Sequence, residues 1–458
     1  MINDILKIGY LKNVFSKILF IVILSITMTV LMSSNNIECY AGENKFKYVA
    51  RVFRPAKILC FNFWFPGWSG DQPLPKPQEI CMNNYIDSRQ IPEKVTIRLF
   101  YAKVVKSLTI SSENLSISSS DLKKTGSYFV VKMIPGENRL SVKGKRQRFS
   151  SISPLKIESR YPINISYSGG DPRLYRSPVF IRNTAKQLVV TTTVPFEEYI
   201  AGVVRGELPR GRGEALRAQA VAARSYAIKN RERHAGEGYD YCDATHCQFY
   251  RGFVPKSSPY YHTAMDTRGL VLAKNGRLIE SLYHSTCGGR TSDPVDVFGR
   301  DIFGVIGVKD RLKGDKKYLC ADSPHFYWKY KIKKNNLLNI LRKEPEFNSI
   351  KSIKKVSIVK KDKAGRVVSL KIAGEGRIYK ISGYDFWQMM GSHIGWGKIK
   401  STLLSVNHKG ELIEFGGRGL GHGLGMCQWG AMKLAKRGYD FRKILLHYFP
   451  EAEVVPYR

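Results

Sequence analysis

Hydrophobic and polar positions alternate along residues 94–194, in short runs separated by glycine, serine and asparagine. Runs such as 95–100, 128–131 and 188–194 are rich in β-branched and aromatic residues, which is typical of strands buried on one face. The pattern therefore predicts a β-rich module over 94–194. The preceding segment, 42–93, is rich in aromatic residues and proline, and its composition indicates no function.

Beyond Pro195 the apolar positions follow the period of helices. A short helix is predicted to begin at Phe196 and to end near Pro209, because proline at its entrance and acidic residues in its first turn are typical of a helix start. A longer helix is predicted from Gly213 to about His234.

The longer predicted helix carries a basic stripe. Arg217, Arg224 and Arg231 recur every seven residues and so lie near one face of the helix. Two interpretations remain open at this point. The stripe binds an anionic ligand, or it is a solvated face.

The rest of the chain mixes strands, hairpins and one further helix. These signals cover residues 271–273, 281–283, 356–372, 403–415 and 426–437. Helices mixed with hairpins, rather than alternating βαβ units, predict an α+β fold. We therefore expect a β-rich module followed by a mixed domain over 195–450, with a heavily basic insertion at about 309–363.

The charge balance narrows the class of partner. The 458 residues include 74 Lys and Arg against 38 Asp and Glu, a formal net charge of +36. Such a field favours a polyanion, which could be nucleic acid, anionic lipid or an acidic wall polymer.

The N-terminal sequence indicates which of these partners the protein meets. Three lysines precede an uncharged apolar run over 18–32, and small residues lead up to Ala41, which predicts a secretory signal over 1–41. An uncleaved membrane anchor is the alternative, although the run is short for a span. We expect an exported protein of the periplasm or cell envelope, in contact with the membrane only if the signal is uncleaved. Nucleic acid is not expected as a partner.

A glycine cluster lies between a predicted strand and a predicted helix. Six of the ten residues over 416–425 are glycine, but neither nucleotide-binding glycine motif fits them. Their backbone must instead approach a ligand or another chain segment closely. Arg418 and His422 are the reactive side chains of the cluster.

Glu207 is a candidate general acid. It lies at a predicted helix end with apolar flanks, where partial desolvation would raise the pKa of its carboxyl and keep it protonated. A plain ion pair with Arg205 or Arg210 is the alternative.

The cysteines suggest either a metal site or disulfides. Four candidate ligands are close in sequence: His234, Cys242, His246 and Cys247. The Cys242-x4-Cys247 pair matches half a zinc site, which Cys287 and Cys320 could complete in space. Export makes disulfide bonds the competing interpretation.

Four sequence blocks occur in the order found in one known family. They cover residues 194–209, 214–227, 284–291 and 417–431, the last followed by the closing run 444–450. In these blocks the chain resembles the stage II sporulation protein D family, whose members include the LytB-type amidase enhancers.

The resemblance implies a lytic transglycosylase that cleaves peptidoglycan glycan strands already stripped of peptides by an amidase. The catalytic acid of the family falls on Glu207. We hypothesise that Arg418, His422 and Gln428 bind glycan beside it, and that Arg217 and Arg224 either bind glycan or support the fold. The alternative function is a cationic wall-binding protein that stimulates a partner amidase without catalysis.

The resemblance requires no cofactor for catalysis but allows a structural zinc. Some members hold zinc with two cysteines and a histidine, which fall here on Cys242, Cys247 and His234. Four positions depart from the family pattern: Leu208, Trp387, Leu420 and Cys427.

Overall fold

A computed structural model describes residues 47–50, 59–62 and 91–457 of the chain. The predicted signal over 1–41 lies outside the described residues, as does most of the aromatic segment over 42–93. No helix within the described ranges combines the length and the apolar character that crossing a membrane requires.

The chain divides into two units. The first spans Met1–Ile86, and the second spans Asp87–Arg458. In the first unit, β1 (Lys47–Ala50) pairs antiparallel with β2 (Leu59–Asn62).

An eleven-stranded sheet dominates the first half of the second unit. Its strands are β3 (Lys94–Leu99), β4 (Ser107–Ser118), β5 (Lys123–Met133), β6 (Arg139–Gly144), β7 (Arg148–Ile152), β8 (Leu155–Glu158), β9 (Ile163–Tyr167), β10 (Arg173–Tyr175), β11 (Val179–Asn183), β12 (Leu188–Pro195) and β13 (Tyr241–Cys242). Their main order is β13-β3-β12-β11-β8-β4-β5-β6-β7, with β9 beside β4 and β10 beside β9. The alternation of buried and exposed side chains in strands such as β6 explains the sequence pattern.

Helices and shorter strands make up the remainder. The helices are α1 (Phe196–Glu207), α2 (Gly213–Lys229), α3 (Pro259–Asp266), α4 (Pro294–Phe298), α5 (Lys334–Leu341), α6 (Gly383–Ile394), α7 (Gln428–Lys436) and α8 (Phe441–Tyr448). The strands are β14 (Leu270–Lys274), β15 (Arg277–Leu278), β16 (Tyr283–His284), β17 (Tyr327–Lys333), β18 (Lys355–Lys361), β19 (Val367–Ala373), β20 (Ile378–Ser382), β21 (Leu404–Lys409), β22 (Leu412–Arg418), β23 (Met426–Cys427) and β24 (Glu453–Pro456). Single 3-10 turns cover Arg231–Glu237, Leu319–Asp322 and Pro345–Phe347. The predicted α+β class is confirmed.

The predicted end of the second helix near His234 is wrong. Helix α2 ends at Lys229, and Asn230 caps it by donating a side-chain N–H to the carbonyl of Tyr226 at 3.0 Å. Asparagine competes with helical hydrogen bonding in this way, so the chain continues as a 3-10 turn.

Strand β13 joins the β-rich module to the helical domain. It comes after α2 in the sequence but pairs parallel with β3 at the edge of the large sheet. The carboxylate of Asp243 then accepts hydrogen bonds from the backbone N–H groups of Phe100 and Tyr101, at 2.8 and 3.0 Å. One hydrophobic core therefore runs from the sheet into α1 and α2.

The insertion has a core of its own and is larger than predicted. Its buried apolar residues run from Trp328 to Phe415, packed between the sheets β17-β22-β21 and β18-β19-β20 and helices α5 and α6. A boundary at residue 363 would divide the β18–β19 hairpin. Since β17 pairs with β22, the insertion begins and ends at neighbouring strands.

Candidate active site

Glu207 is the last residue of α1, and the loop after β13 holds its carboxyl group. The preceding residue, Gly206, lies so close to the carbonyl of Phe249 that a Cβ atom would collide with it. This contact requires glycine. At this approach the backbone N–H of Phe249 donates to Oε1 of Glu207 at 2.7 Å.

The Glu207 carboxyl is held in a desolvated environment. Burial raises its pKa to about 7 from an ordinary 4.5, while hydrogen bonds from the Phe249 N–H and the Gln428 side chain act in the opposite direction. The residue as a whole remains partly accessible. Near neutral pH the group is therefore protonated in a large fraction of molecules and can give up a proton.

Arg205 does not form the ion pair with Glu207 that the sequence allowed. The guanidinium of Arg205 instead donates to the carbonyl of Phe253 at 2.9 Å. The groups that hydrogen-bond to the Glu207 carboxyl are neutral, so burial outweighs them and the pKa is raised.

Buried amide and phenol groups surround the carboxyl. Gln428, at the start of α7, donates to the Oε1 atom of Gln219 on α2 at 3.2 Å. Tyr283 donates to Oε1 of Gln248 at 2.6 Å, and Gln248 donates to the hydroxyl of Tyr199 at 3.2 Å. These side chains join α1, α2, α7 and β16 around one acid.

A four-residue cluster of metal-ligating type joins the 3-10 segment after α2, strand β13 and the loop that leads to Phe249. The ligand atoms of His234, Cys242, His246 and Cys247 are all within 4.8 Å of one another. Nδ1 of His246 lies 3.8 Å from the Cys242 sulfur and 3.9 Å from the Cys247 sulfur. Two thiolates and two imidazoles at such distances form a set that zinc accepts.

His234 is oriented as a metal-binding histidine would be. Its Nδ1 atom shares a 2.6 Å hydrogen bond with Glu237, and its Nε2 atom is buried without a partner in the described structure. A carboxylate that holds one ring nitrogen commonly directs the other toward a metal. Cys287 and Cys320 do not join this set, which corrects the suggestion that they complete it.

Two segments of the chain match known protein families, and the first of them contains this site. The family described as "Stage II sporulation protein" matches residues 184–273, which include Glu207 and the cysteine cluster. A domain of unknown function matches residues 307–425, the region of the insertion.

Relatives match over a longer part of the chain. The stage II sporulation protein D of Bacillus subtilis strain 168 is 28% identical over 317 residues, covering 63% of this chain and 82% of the relative. The amidase enhancer of the same organism is 29% identical over 293 residues, covering 56% of this chain but only 40% of the relative. An uncharacterized protein of Brachyspira hyodysenteriae is 28% identical over 272 residues, covering 59% of this chain and 69% of the relative.

Residues 184–273 thus match the stage II sporulation protein family, and the chain is similar over more than half its length to a stage II sporulation protein D and to an amidase enhancer. The resemblance seen in the four sequence blocks is thereby confirmed.

The glycine cluster over 416–425 approaches its own chain. A Cβ atom at Gly425, whose φ is +67°, would collide with the carbonyl of Leu282, and one at Gly419 would meet the carbonyl of Thr286 at 2.5 Å. The cluster leads into β23, which pairs parallel with β16 and brings Met426 opposite Tyr283. Close approach to a chain segment, rather than to a ligand, accounts for these glycines.

Both ring nitrogens of His422 form hydrogen bonds with the backbone. Its Nε2–H donates to the carbonyl of Tyr283 at 3.0 Å, and its Nδ1 accepts from the N–H of Leu424 at 3.1 Å. Burial lowers the pKa of His422 to about 4, so the ring is neutral at pH 7. The placement gives His422 a role in positioning the loop, which differs from the predicted contact with glycan.

Arg217 and Arg224 of the predicted stripe have different environments. Arg224 has no exposed surface and pairs with Glu197, which corrects the suggestion that it binds glycan. Arg217 is partly exposed and pairs with Glu214 and Asp266 at 2.5 and 3.0 Å. For Arg224, therefore, the structure favours support of the fold.

The other residues singled out in the sequence have different surroundings. Arg418 packs over the rings of Tyr318 and Phe326, with both centroids at 5.9 Å. Among the departures from the family pattern, Leu208 is buried beside α2, and Trp387 lies in the core of the insertion.

Several site residues were missed by the sequence analysis. Gln219, Gln248 and Tyr283 are polar residues within apolar surroundings, a signal that is visible in the sequence but assigns no partner. His246, by contrast, was among the candidate ligands named from the sequence, and it lies in the cluster. The role of the Phe249 N–H could not be read from the sequence, because a backbone donor leaves no mark on residue type.

Proposed function

We propose that this protein is a lytic transglycosylase that cleaves peptide-stripped glycan strands of peptidoglycan to anhydro-muramoyl ends. Similarity to this family and to its relatives supports a function related to the cell wall. The observation that carries the finer proposal is Glu207, a partly accessible residue whose carboxyl has a pKa raised by burial to about 7.

The reaction requires one proton donor. Protonated Glu207 gives its proton to the glycosidic oxygen, and the bond between that oxygen and C1 of the muramoyl residue breaks. The C6 hydroxyl oxygen of the same residue bonds to C1, and its proton returns to the Glu207 carboxylate. No water is consumed, so the second carboxyl that hydrolytic glycosidases usually employ is not needed.

The surroundings of Glu207 suit both halves of this cycle. Burial favours the protonated form before the proton is given up. The Phe249 N–H and the Gln428 amide then stabilise the carboxylate that remains, because hydrogen bonds to the charged form favour it. The acid is thus restored without large movement of the protein.

We further propose that the protein is exported to the cell envelope and binds its substrate partly through charge. The net charge of +36 favours attraction to an anionic wall, and such attraction weakens at high salt. A cell-wall amidase that removes the peptides is the natural partner, and one relative is named an amidase enhancer.

A zinc ion at the His234–Cys242–His246–Cys247 cluster is part of this proposal. The orphaned Nε2 atom of His234 and the paired thiols fit such an ion. When bound, zinc would supply a structural cross-link. Cys247 lies two residues before Phe249, so these ligands would fix the loop whose N–H holds Glu207.

The products of the wild-type protein test the proposed function. We expect purified protein and peptide-free strands in H2-18O to release fragments with anhydro-muramoyl ends that contain no 18O. The measurement is mass spectrometry of the released fragments. Reducing ends labelled with 18O would show hydrolysis instead, and absence of any cleavage would leave only the amidase-enhancer function.

Replacing Glu237 with glutamine tests the zinc site. The variant weakens the hydrogen bond that orients His234, so we expect zinc affinity to fall by about 10- to 100-fold. Competition with a coloured chelator measures the affinity. Glu232→Gln, at an exposed position of the same turn, is the matched control and should match wild type. Equal affinities of both variants would contradict a ligand role for His234.

The second candidate function is a non-catalytic enhancer of a cell-wall amidase. It is favoured by the similarity to the amidase enhancer of Bacillus subtilis, although only 40% of that relative is matched. Under this function the protein would increase the rate of an added amidase on intact wall, and Glu207→Gln would leave that increase unchanged.

A further inference from the structure

A second cluster of metal-ligating side chains lies in the core of the same domain. The Cys287, Cys320 and Cys427 sulfurs and a carboxylate oxygen of Asp310 are all within 4.8 Å of one another, and all four residues are buried. The cysteines come from three separate parts of the chain. None of these three cysteines forms a disulfide.

We propose that these four side chains bind a second zinc ion. The Cys287 and Cys320 sulfurs are 3.5 Å apart. Sulfurs around a tetrahedral zinc, with bonds of about 2.3 Å, are separated by roughly 3.8 Å, whereas a disulfide bond is about 2.05 Å long. Three soft thiolate ligands favour zinc over magnesium or calcium.

Hydrogen bonds hold the proposed ligands in position. Asp310 accepts from the Tyr448 hydroxyl at 2.7 Å and from the Cys320 N–H at 2.9 Å, and each of its oxygens has a further lone pair to offer. The Cys427 sulfur accepts from the Cys287 N–H at 3.2 Å. Outer hydrogen bonds of this kind orient metal ligands and stabilise thiolate charge.

A buried arginine provides an independent observation. Arg366 is 1% exposed and donates through Nη2 to the carbonyl of Cys287 at 2.6 Å. Its Nε and Nη1 atoms have no hydrogen-bond partner among the described residues. The thiols of the cluster and Asp362 are the acidic groups near the guanidinium.

The charge of Arg366 points to an anionic cluster. A buried cation without full pairing is costly unless negative charge lies nearby. Three thiolates and a carboxylate around one Zn²⁺ carry a net charge of about −2, which the guanidinium would partly offset. Three neutral thiols would give no such compensation.

The proposed ion would also support the site around Glu207. Cys427 directly precedes Gln428, whose amide hydrogen-bonds to the acid. Cys287 follows β16, and Cys320 lies near the start of the insertion. One ion would therefore join both ends of the insertion to the segment that carries Tyr283. The proposal rests on these ligands and is independent of the chemistry assigned to Glu207.

Metal analysis of the full-length protein tests the proposal. After purification without chelator or reductant, we expect roughly two zinc ions per chain. The Cys242→Ser/Cys247→Ser variant should keep half of that zinc, and adding Cys320→Ser should remove the remainder. Asp310→Asn should lower zinc content, whereas Asp315→Asn, at a surface ion pair of the same loop, should not.

Differential alkylation of the native wild-type protein provides a test that needs no variant. We expect Cys287, Cys320 and Cys427 to resist alkylation until a strong chelator removes zinc, and then to react in full. Recovery of a Cys287–Cys320 cross-linked peptide would overturn the proposal. A zinc content that falls to zero when only Cys242 and Cys247 are replaced, in a folded variant, would overturn it as well. None of these measurements uses cleavage of glycan, so the two proposals can fail separately.

Discussion

Replacing Glu207 with glutamine is expected to reduce cleavage of peptide-free glycan strands by at least about 100-fold. Glutamine has nearly the same shape and can still accept the hydrogen bond from the Phe249 N–H. It cannot give a proton to the leaving oxygen. The measurement is the initial rate at which anhydro-muramoyl ends appear, followed by mass spectrometry.

The control for this variant is Glu113→Gln, which alters an exposed glutamate on β4 and should cleave at the wild-type rate. Both variants should sediment with purified glycan strands as the wild type does. If Glu207→Gln cleaved normally, the role of Glu207 as general acid would be refuted. Loss of glycan binding in Glu207→Gln would instead assign the residue to recognition.

The pH dependence of activity and stability is a second test of the same assignment. Activity that depends on protonated Glu207 should decline as pH rises through about 7. The folded-state pKa lies above the ordinary 4.5, so the native protein binds the extra proton and loses stability as pH rises between these values. The glutamine variant should match wild type in acid and be more stable above pH 7, by up to about 3 kcal/mol. Unfolding would therefore not explain its lost activity.

Replacing Arg224 with methionine is expected to lower the free energy of unfolding by about 3–5 kcal/mol. The guanidinium is fully buried and donates to both oxygens of Glu197, at 3.0 and 2.6 Å. It also donates to the carbonyls of Leu270 and Ala264, both at 3.1 Å. The variant would leave a buried carboxylate without its partner. Urea denaturation followed by circular dichroism measures the change.

Arg217→Met, one stripe position earlier on α2, is the matched control. Its ion pairs are partly exposed, so we expect a loss within about 1 kcal/mol. Adding Glu197→Gln to Arg224→Met should restore part of the stability, because the unpaired charge is then removed. Equal losses for the Arg217 and Arg224 variants would refute the structural role of the buried pair.

Local signals in the sequence predicted much of the fold. Proline and acidic residues located the start of α1, and alternation located the strands of the β-rich module. The end of α2 was missed because the Asn230 cap depends on a hydrogen bond to Tyr226. The extent of the insertion was missed because it depends on pairing between β17 and β22, which are far apart in sequence.

The candidate site was predictable where one residue type carries the chemistry. Glu207 followed from its flanks and from the family resemblance. The partners of Arg224 could not be predicted, because a seven-residue spacing of arginines is the same on a solvated helix face and on a buried one. The grouping of Cys287 with Cys320 and Cys427 could be seen only in the folded structure, because distance along the sequence does not measure separation in space.

The parallel pairing of β13 with β3 limits how this protein can be dissected. A fragment that began at Pro195 would leave Tyr241 and Cys242 without the strand they pair with, and Asp243 without the two amides that its carboxylate binds. The loop that carries Phe249, whose N–H holds Glu207, would then follow a strand that has lost its pairing with β3. Truncation is thus a poor route to a minimal functional fragment, and the β-rich half is better regarded as scaffold than as accessory.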